Sequence, residues 1–438
     1  MKNERGSSMT RKHWFFIAIA ITGALLVSAV SFALFKDSDP YKDFTGLGSS
    51  IAISPDDKEI AFSAYQEGEE AIYIADIDGK DVKRVVDIKG KRLHNPVFSF
   101  ASDELLFLAE GEDGTNVLYS KPLDGELEQQ TGETLHIRDA VFGPDKSIYI
   151  IAMKASEFNK EPGETTEGFD LYHIKEGSDI PKKLTEENHF SMDNLSVSEN
   201  GEAIYYSDFK GENERLYRYS LTEQSVTEEV SAQGLEIEDM YNNSLAPDGK
   251  HIAFSAVSEE SKESSLFEYD LFVKNMDNGK TKQLTDLNSA IESPTYFHDQ
   301  DTIAFLEHTN WPNDPAIYSL KRIDTNGENM ATIELDLPLL DHAGEGTSNQ
   351  NSLVNPYMIG GLYVLFLVLW SFYLLPKGKI FIYRPVKISS LITILVFAAS
   401  FVVAFLGKPW LGIGLGMVAG GLFICTLIAF ICTLLLRI

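Results

Sequence analysis

A segment that returns every 44 to 55 residues between two apolar ends constrains this chain more than any other feature. Its clearest copies read SPDDKEIAFSAY from Ser54 and APDGKHIAFSAV from Ala246. Weaker copies begin at Ser99, Gly143, Ser198 and Phe297. Each reads as a strand end, a tight turn and a second strand. A third strand follows in most copies, such as AIYIAD from Ala71 or NVLYSK from Asn116. A short fourth comes after it, as in RVVDI from Arg84 and KQLTDL from Lys282. Four short strands per repeat at this period is the signature of a β-propeller blade. The six copies predict an all-β six-bladed propeller over residues 48–335. The second strands should pack Ile60, Phe62, Ile252, Phe254, Ile303 and Phe305 between sheets, alternating with small or polar residues.

The turn between the first two strands has a mechanism. Proline fixes φ, aspartate bonds its own backbone, and glycine permits positive φ. Ser54-Pro55-Asp56 and Ala246-Pro247-Asp248-Gly249 fit this pattern. Phe100-Ala101-Ser102-Asp103 and His298-Asp299-Gln300-Asp301 depart from it. On the two strong copies and the repeat, the chain resembles the TolB-like propeller family. The resemblance implies a six-bladed fold and a bacterial cell envelope.

Charge is distributed unevenly along the 438 residues. The tail up to residue 13 carries a net +3, and the chain from Pro356 onward carries +6 with no acid. The whole chain has a formal charge of −28, so the stretch between holds −37. Phosphate repels such a domain, which argues against nucleic acid as a partner. Soluble cations or a basic partner surface suit it better.

Four segments are long and apolar enough to cross a bilayer, at residues 14–35, 357–375, 388–406 and 410–436. The first follows a basic tail, residues 1–13, and is too long for a signal-peptide core, so it reads as an uncleaved anchor. Linkers at 36–47 and 336–356 join the propeller to the spans. The basic loop 376–387 and the basic tail should both be cytoplasmic. That topology leaves the propeller outside, with one N-terminal and three C-terminal transmembrane helices and both termini inside. None of the four apolar cores contains Asp, Glu, His, Lys or Arg, so a channel or transporter has no obvious ion path. Gly412, Gly416 and Gly420 at four-residue spacing suit close helix packing. Cys425 and Cys432, both in the last span, give the propeller no disulfide framework.

The residues that usually mark catalysis are missing from the sequence. GxSxG, HExxH, a Walker loop and a metal-spaced Cys/His cluster do not occur. His94, His136 and His189 fall near the first strands of blades two to four, where three histidines are a metal-site pattern of low specificity. A sharper pattern lies four residues before each turn. There the chain places Ser50, Asn95, Asp139, Asn194, Asn242 and Ser293. At one position per innermost strand these would ring the channel, either as strand caps or as a polar ring for a small ligand or cation.

Acid-rich connections between second and third strands form a second candidate surface, with Glu69, Glu112, Glu164 and Glu260 as representatives. Trp311 is the only tryptophan away from the spans, and an aromatic there suits a partner anchor as well as local packing. The sequence thus describes a membrane-tethered, extracytoplasmic propeller acting as a binding module, embedded in the membrane and suited to a membrane-protein partner or a cationic ligand. No cofactor is identified, although so many carboxylates are compatible with a divalent cation. The alternatives are a glycan lyase or hydrolase working in the channel and a sensor coupled to the helices.

Overall fold

The computed structural model describes residues 2–35, 39–161, 163–178, 180–198, 200–210, 213–228, 240–299, 301–338, 354–378 and 380–435. Most of the linker expected over 336–356, part of 36–47, and Gln300 of the sixth turn lie outside them. The chain divides into two compact units, one of strands and one of helices.

Among the described residues the strand unit is a succession of four-stranded antiparallel meanders, each formed from strands consecutive in sequence. The first is β1 (Gly46–Ile53), β2 (Glu59–Gln66), β3 (Glu69–Asp76) and β4 (Lys83–Val86). The second is β5 (Arg92–Phe98), β6 (Glu104–Glu110), β7 (Asn116–Pro122) and β8 (Glu128–Gln129). The third is β9 (Leu135–Phe142), β10 (Ile148–Lys154), β11 (Asp170–Ile174) and β12 (Lys182–Lys183), with a short helix α1 (Ala155–Phe158) between its middle strands. The fourth is β13 (Asp193–Val197), β14 (Ala203–Lys210), β15 (Asn213–Ser220) and β16 (Ser225–Glu228). The fifth is β17 (Tyr241–Leu245), β18 (His251–Val257), β19 (Tyr269–Asn275) and β20 (Thr281–Gln283). The sixth is β21 (Ala290–Tyr296), β22 (Thr302–His308), β23 (Tyr318–Asp324) and β24 (Ala331–Thr332). A single parallel pair, Tyr269 with Ala290, joins the last two meanders into one sheet.

Second strands are near-continuous apolar runs because both their faces are covered. Ile60 and Phe62 pack toward the sixth meander, while Ala61 packs toward the second. Ile303 and Phe305 face the fifth meander, while Ala304 and Leu306 face the first. All six large residues expected between sheets are buried, with 0–1% of their surface exposed.

The turns are more uniform than their sequences. The fourth residue of each described turn has positive φ: Asp57 53°, Ser102 58°, Lys146 61°, Gly201 67° and Gly249 65°. Only two of these are glycine. A serine at the first position compensates in three copies. Ser54 Oγ accepts the N–H of Lys58 and Glu59, Ser99 Oγ that of Asp103 and Glu104, and Ser198 Oγ that of Glu202 and Ala203.

The sixth meander packs on the first, and one apolar cluster spans both. No strand is exchanged across this seam among the described residues, so other contacts hold it. Asp57 accepts the backbone N–H groups of His298 and Asp299, each at 2.8 Å. Asp336 N–H donates to Gly79 O at 2.7 Å, which brings Ile333 into the shared cluster. The lead-in at Asp39–Phe44 straps three meanders. Phe44 O accepts Gly68 N–H, Tyr41 Oη accepts Ala316 N–H, and Asp39 pairs with Arg92. Gly68 is required here, because a Cβ would sit 1.8 Å from Lys42 O.

In the other unit, four helices are long and apolar enough to cross a membrane, at His13–Phe35, Pro356–Lys377, Phe381–Phe405 and Pro409–Leu435. Asn355 caps the second, its side chain accepting Met358 N–H at 2.8 Å, with Pro356 in the first turn. The third regular helix begins at Arg384, so Arg384 and Lys387 belong to its first turn rather than to the loop expected over 376–387. Of the glycine ridge, Gly412 lies tightly against the preceding helix, where a Cβ would come 2.7 Å from Ser400 O. Gly414, Gly420 and Gly421 face open space. A polar chain runs between helices from Tyr363 Oη to Ser389 Oγ (2.7 Å) and on to Thr426 Oγ1 (2.5 Å).

The seam makes a testable statement. Asp57→Ala leaves two backbone donors without partners and puts alanine at positive φ. It should destabilise the strand unit by about 2–3 kcal/mol, read as a lowered thermal midpoint of the full-length protein in detergent. Asp57→Asn keeps one acceptor and tolerates the backbone, and should lose less. Arg84→Ala, which breaks an exposed pair with Asp87, should cost under about 1 kcal/mol. Equal midpoints for all three would refute the seam's role.

Candidate functional site

First strands begin on the side where second and third strands join, since Gly46 pairs with Tyr65 and Leu135 with Lys154. We call this the loop side and the opposite one the turn side. Each first strand slips register once against its neighbour. The slip is a β-bulge, which bends the strand and re-aims one residue. In all six meanders the position identified four residues before the turn lies at this bulge. Asn95, Asn194, Asn242 and Ser293 adopt positive φ there, between 48° and 56°. Asparagine tolerates that region better than most residues, so backbone conformation selects the residue type.

Three of the bulge side chains reach across meander boundaries. Ser50 Oγ accepts Asn95 N–H at 2.9 Å, and Ser293 Oγ accepts Ile51 N–H at 3.3 Å. Asp139 Oδ2 accepts Leu195 N–H at 2.8 Å, while its Oδ1 accepts Ala140 N–H. Asn194 donates to Ser207 Oγ and Glu214 Oε1, and Asn243 of the next meander donates to the same Glu214 oxygen. Asn242 donates to Ser255 Oγ. All six residues line one open cavity of about 850 Å³ that runs toward the turn side.

A second set, of which the sequence singled out only His94, sits at a constant offset of one residue before these positions. It comprises His94, Arg138, Asp193, Tyr241 and Glu292, with Ser49 in the first meander. Arg138 reaches across a boundary and donates twice to Asp193 Oδ2, at 2.9 and 3.1 Å. Glu292 accepts Tyr318 Oη–H at 2.7 Å. A loop-side depression of about 360 Å³ contains His94, Asn116, His136, Arg138, Phe158 and Asp193.

Burial shapes the electrostatics. Asp139 is pushed up to about 7, by desolvation first and then by nearby Asp193. Glu214 is likewise raised to about 7, again mainly by burial. Glu70 and Glu292 are raised for the same reason. The His136 imidazole is depressed to about 4 by burial and by Arg138.

The three histidines stay apart in their roles. His94 Nε2 meets Asn116 Oδ1, His136 Nδ1 accepts Asn116 N–H and its ring stacks on Phe158, and His189 Nδ1 pairs with Asp208. No group of three metal-ligating side chains occurs among the described residues. Glu112, Glu164 and Glu260 lie exposed on the expected connections, whereas Glu69 opens β3, because only Glu67 and Gly68 turn that hairpin. Trp311 is half-buried. Its Nε1–H donates to Phe267 O at 2.8 Å, and its ring meets Tyr269 and His308 edge-on.

Structural neighbours of the chain are TolB and other β-propeller proteins. TolB from Acinetobacter baumannii aligns at 17% identity and a TM-score of 0.47, over 69% of this chain and 66% of that one. The β-propeller domain of the Trilobed protease from Pyrococcus furiosus aligns at 16% and 0.42, over 67% and 86%. An oligogalacturonate lyase in complex with manganese aligns at 12% and 0.44, over 63% and 89%. No protein-family model matches the chain, and no curated protein matches it.

The raised carboxyls fix a sign for pH dependence. A folded pKa above the ordinary value near 4 means stability is complete below about 4 and is lost as pH rises toward 7. Asp139→Asn mimics the neutral side chain but keeps only one of the two acceptors for Leu195 and Ala140 N–H. Its thermal midpoint should therefore fall below wild type by less at pH 7.5 than at pH 5. A difference between the two proteins that does not change with pH would show that Asp139 ionises normally.

Proposed function

We propose that the chain is a membrane-tethered, six-bladed, TolB-like β-propeller that lies on the extracytoplasmic side of the cell membrane and acts as a binding module. The four-stranded meanders, sealed sixth to first, support a closed six-bladed ring. Four apolar helices with basic flanks support a multi-pass anchor with both termini cytoplasmic. The observation that carries the binding role is the ring of first strands around an open cavity of about 850 Å³. Three of its bulge side chains, Ser50, Asp139 and Ser293, are spent on backbone groups of the next meander, which stiffens the frame. Side chains of varied chemistry then converge at the loop-side mouth. A stiff frame presenting variable loops suits recognition, and a protein partner within an envelope membrane complex fits best.

Two measurements test this. In a protein with Cys425 and Cys432 replaced by serine, single cysteines at Glu112 and Lys377, both exposed, report sidedness. An impermeant thiol reagent added to intact cells should label Glu112→Cys and spare Lys377→Cys until the membrane is opened. The reverse pattern would overturn the placement. Mild crosslinking in native membranes should then recover a stoichiometric membrane partner. Turnover of a glycan or peptide by the purified chain, with no partner recovered, would instead favour an enzyme.

A further inference from the structure

Five large apolar side chains of the strand unit are exposed on its loop side, and all belong to three successive meanders. Phe158 follows β10, Phe190 precedes β13, Phe209 lies near the end of β14, and Leu266 and Phe267 precede β19. Phe190 is 63% exposed and Phe267 47%. Single exposed apolar residues are ordinary, and the turn side has such singles in Phe100, Leu127, Ile180 and Met330, spread over meanders two, three and six. The loop-side set differs because it follows one arc of neighbouring meanders. Among the described residues, meanders one, two and six expose no comparable side chain there.

The same arc is acidic. Glu164, Glu186, Glu260 and Glu263 are exposed along it. Three of its lysines are already paired with glutamates: Lys154 with Glu167, Lys160 with Glu157 and Lys262 with Glu259. Apolar anchors rimmed by one sign of charge select their occupant. Anionic lipid and a second copy of this face are both repelled.

We propose that this arc is the docking surface for a basic amphipathic segment of a partner protein. Aromatic or aliphatic side chains of that segment seat among Phe158, Phe190, Phe209 and Phe267, and its lysines or arginines face Glu164, Glu186, Glu260 and Glu263. The proposal rests on the binding-module reading and adds the face and the chemistry of the partner.

The test uses the full-length protein in phosphatidylcholine nanodiscs, with empty nanodiscs as the blank. A fluorescent synthetic leucine–lysine amphipathic peptide is the probe. It should bind saturably and more weakly as salt rises, while serine–lysine and leucine–glutamate peptides of the same length should not. Phe190→Ser with Phe209→Ser should weaken binding by about tenfold or more, as loss of anchor residues does. Glu260→Gln with Glu263→Gln should weaken it and flatten the salt dependence. Leu127→Ser with Ile180→Ser, on the turn side, should leave it unchanged. All these residues are exposed, so unchanged thermal midpoints separate lost binding from lost folding. Unaltered binding in the loop-side variants, equal loss in the turn-side variant, or equal binding of the serine–lysine peptide would overturn the proposal. So would loop-side variants that lose capture by phosphatidylcholine vesicles yet keep peptide binding, which would assign the arc to lipid. A photo-crosslinker at Ile180 that captures a native partner, with none captured from Phe190, sinks the arc and leaves the binding module standing. No capture from either position sinks both.

Discussion

Closure of the ring is the constraint on which the strand unit depends. Each meander is built from consecutive strands, so no backbone ladder links the last to the first among the described residues. The seam relies instead on shared apolar burial and a few directed bonds. Phe62, Leu306 and Ile333 pack in one cluster. Burying each such side chain contributes about 1.5–3 kcal/mol, which makes the cluster the larger energetic share. The bonds of Asp57, Asp336 and Tyr41 decide where the two meanders meet. Non-directional burial alone would allow them to slide. The strap at Asp39–Phe44 gives the seam a second role, since the segment that leads in from the first apolar helix is also a part of the closure.

Repetition made much of this legible in the sequence. Residues that contact their own meander lie within about 50 positions of each other, so each copy restates the same local problem. Second strands were readable because both faces are buried and the apolar run is near-continuous. The turns were only half readable. Searching for proline, aspartate and glycine finds the first and fifth copies and passes over the second and fourth. In those, Ser99 and Ser198 perform the capping that Ser54 performs. Ser102 and Lys146 accept positive φ without glycine, because the hairpin imposes it.

Long-range partners stayed hidden for a physical reason. Ser293 and Ile51 lie 242 residues apart, and Asp139 and Leu195 lie 56 apart. Nothing in either local sequence announces the other. The offset that revealed the bulge residues could also have revealed their predecessors, had charge been read in place of size. His94, Arg138, Asp193 and Glu292 share one register but not one chemistry. A search for similarity therefore passes over them. The helical unit posed the opposite case. Its four long apolar helices were plain from composition, while the Tyr363–Ser389–Thr426 chain and the contact at Gly412 depend on which helix faces turn inward.

The bulges divide labour along the first strands. At the bulge itself two demands favour short polar side chains. Positive φ holds Asn95, Asn194, Asn242 and Ser293, and a backbone donor on the next meander is met by Ser50, Asp139 and Ser293. One residue earlier, His94, Asp193, Tyr241 and Glu292 are paired in the regular ladder, so their side chains are released from the backbone's demand. Arginine, histidine, tyrosine, aspartate and glutamate all occur at that position. The channel is thus uniform where it must hold the ring together and diverse where it opens to the loop side. The buried His136 and Asp139 can sit beside the Arg138–Asp193 pair, because burial moves the imidazole and the Asp139 carboxyl toward their uncharged forms. The chain's strong acidity then falls mainly on the exposed connections, where water screens it. Attraction for basic groups is then concentrated at the loops.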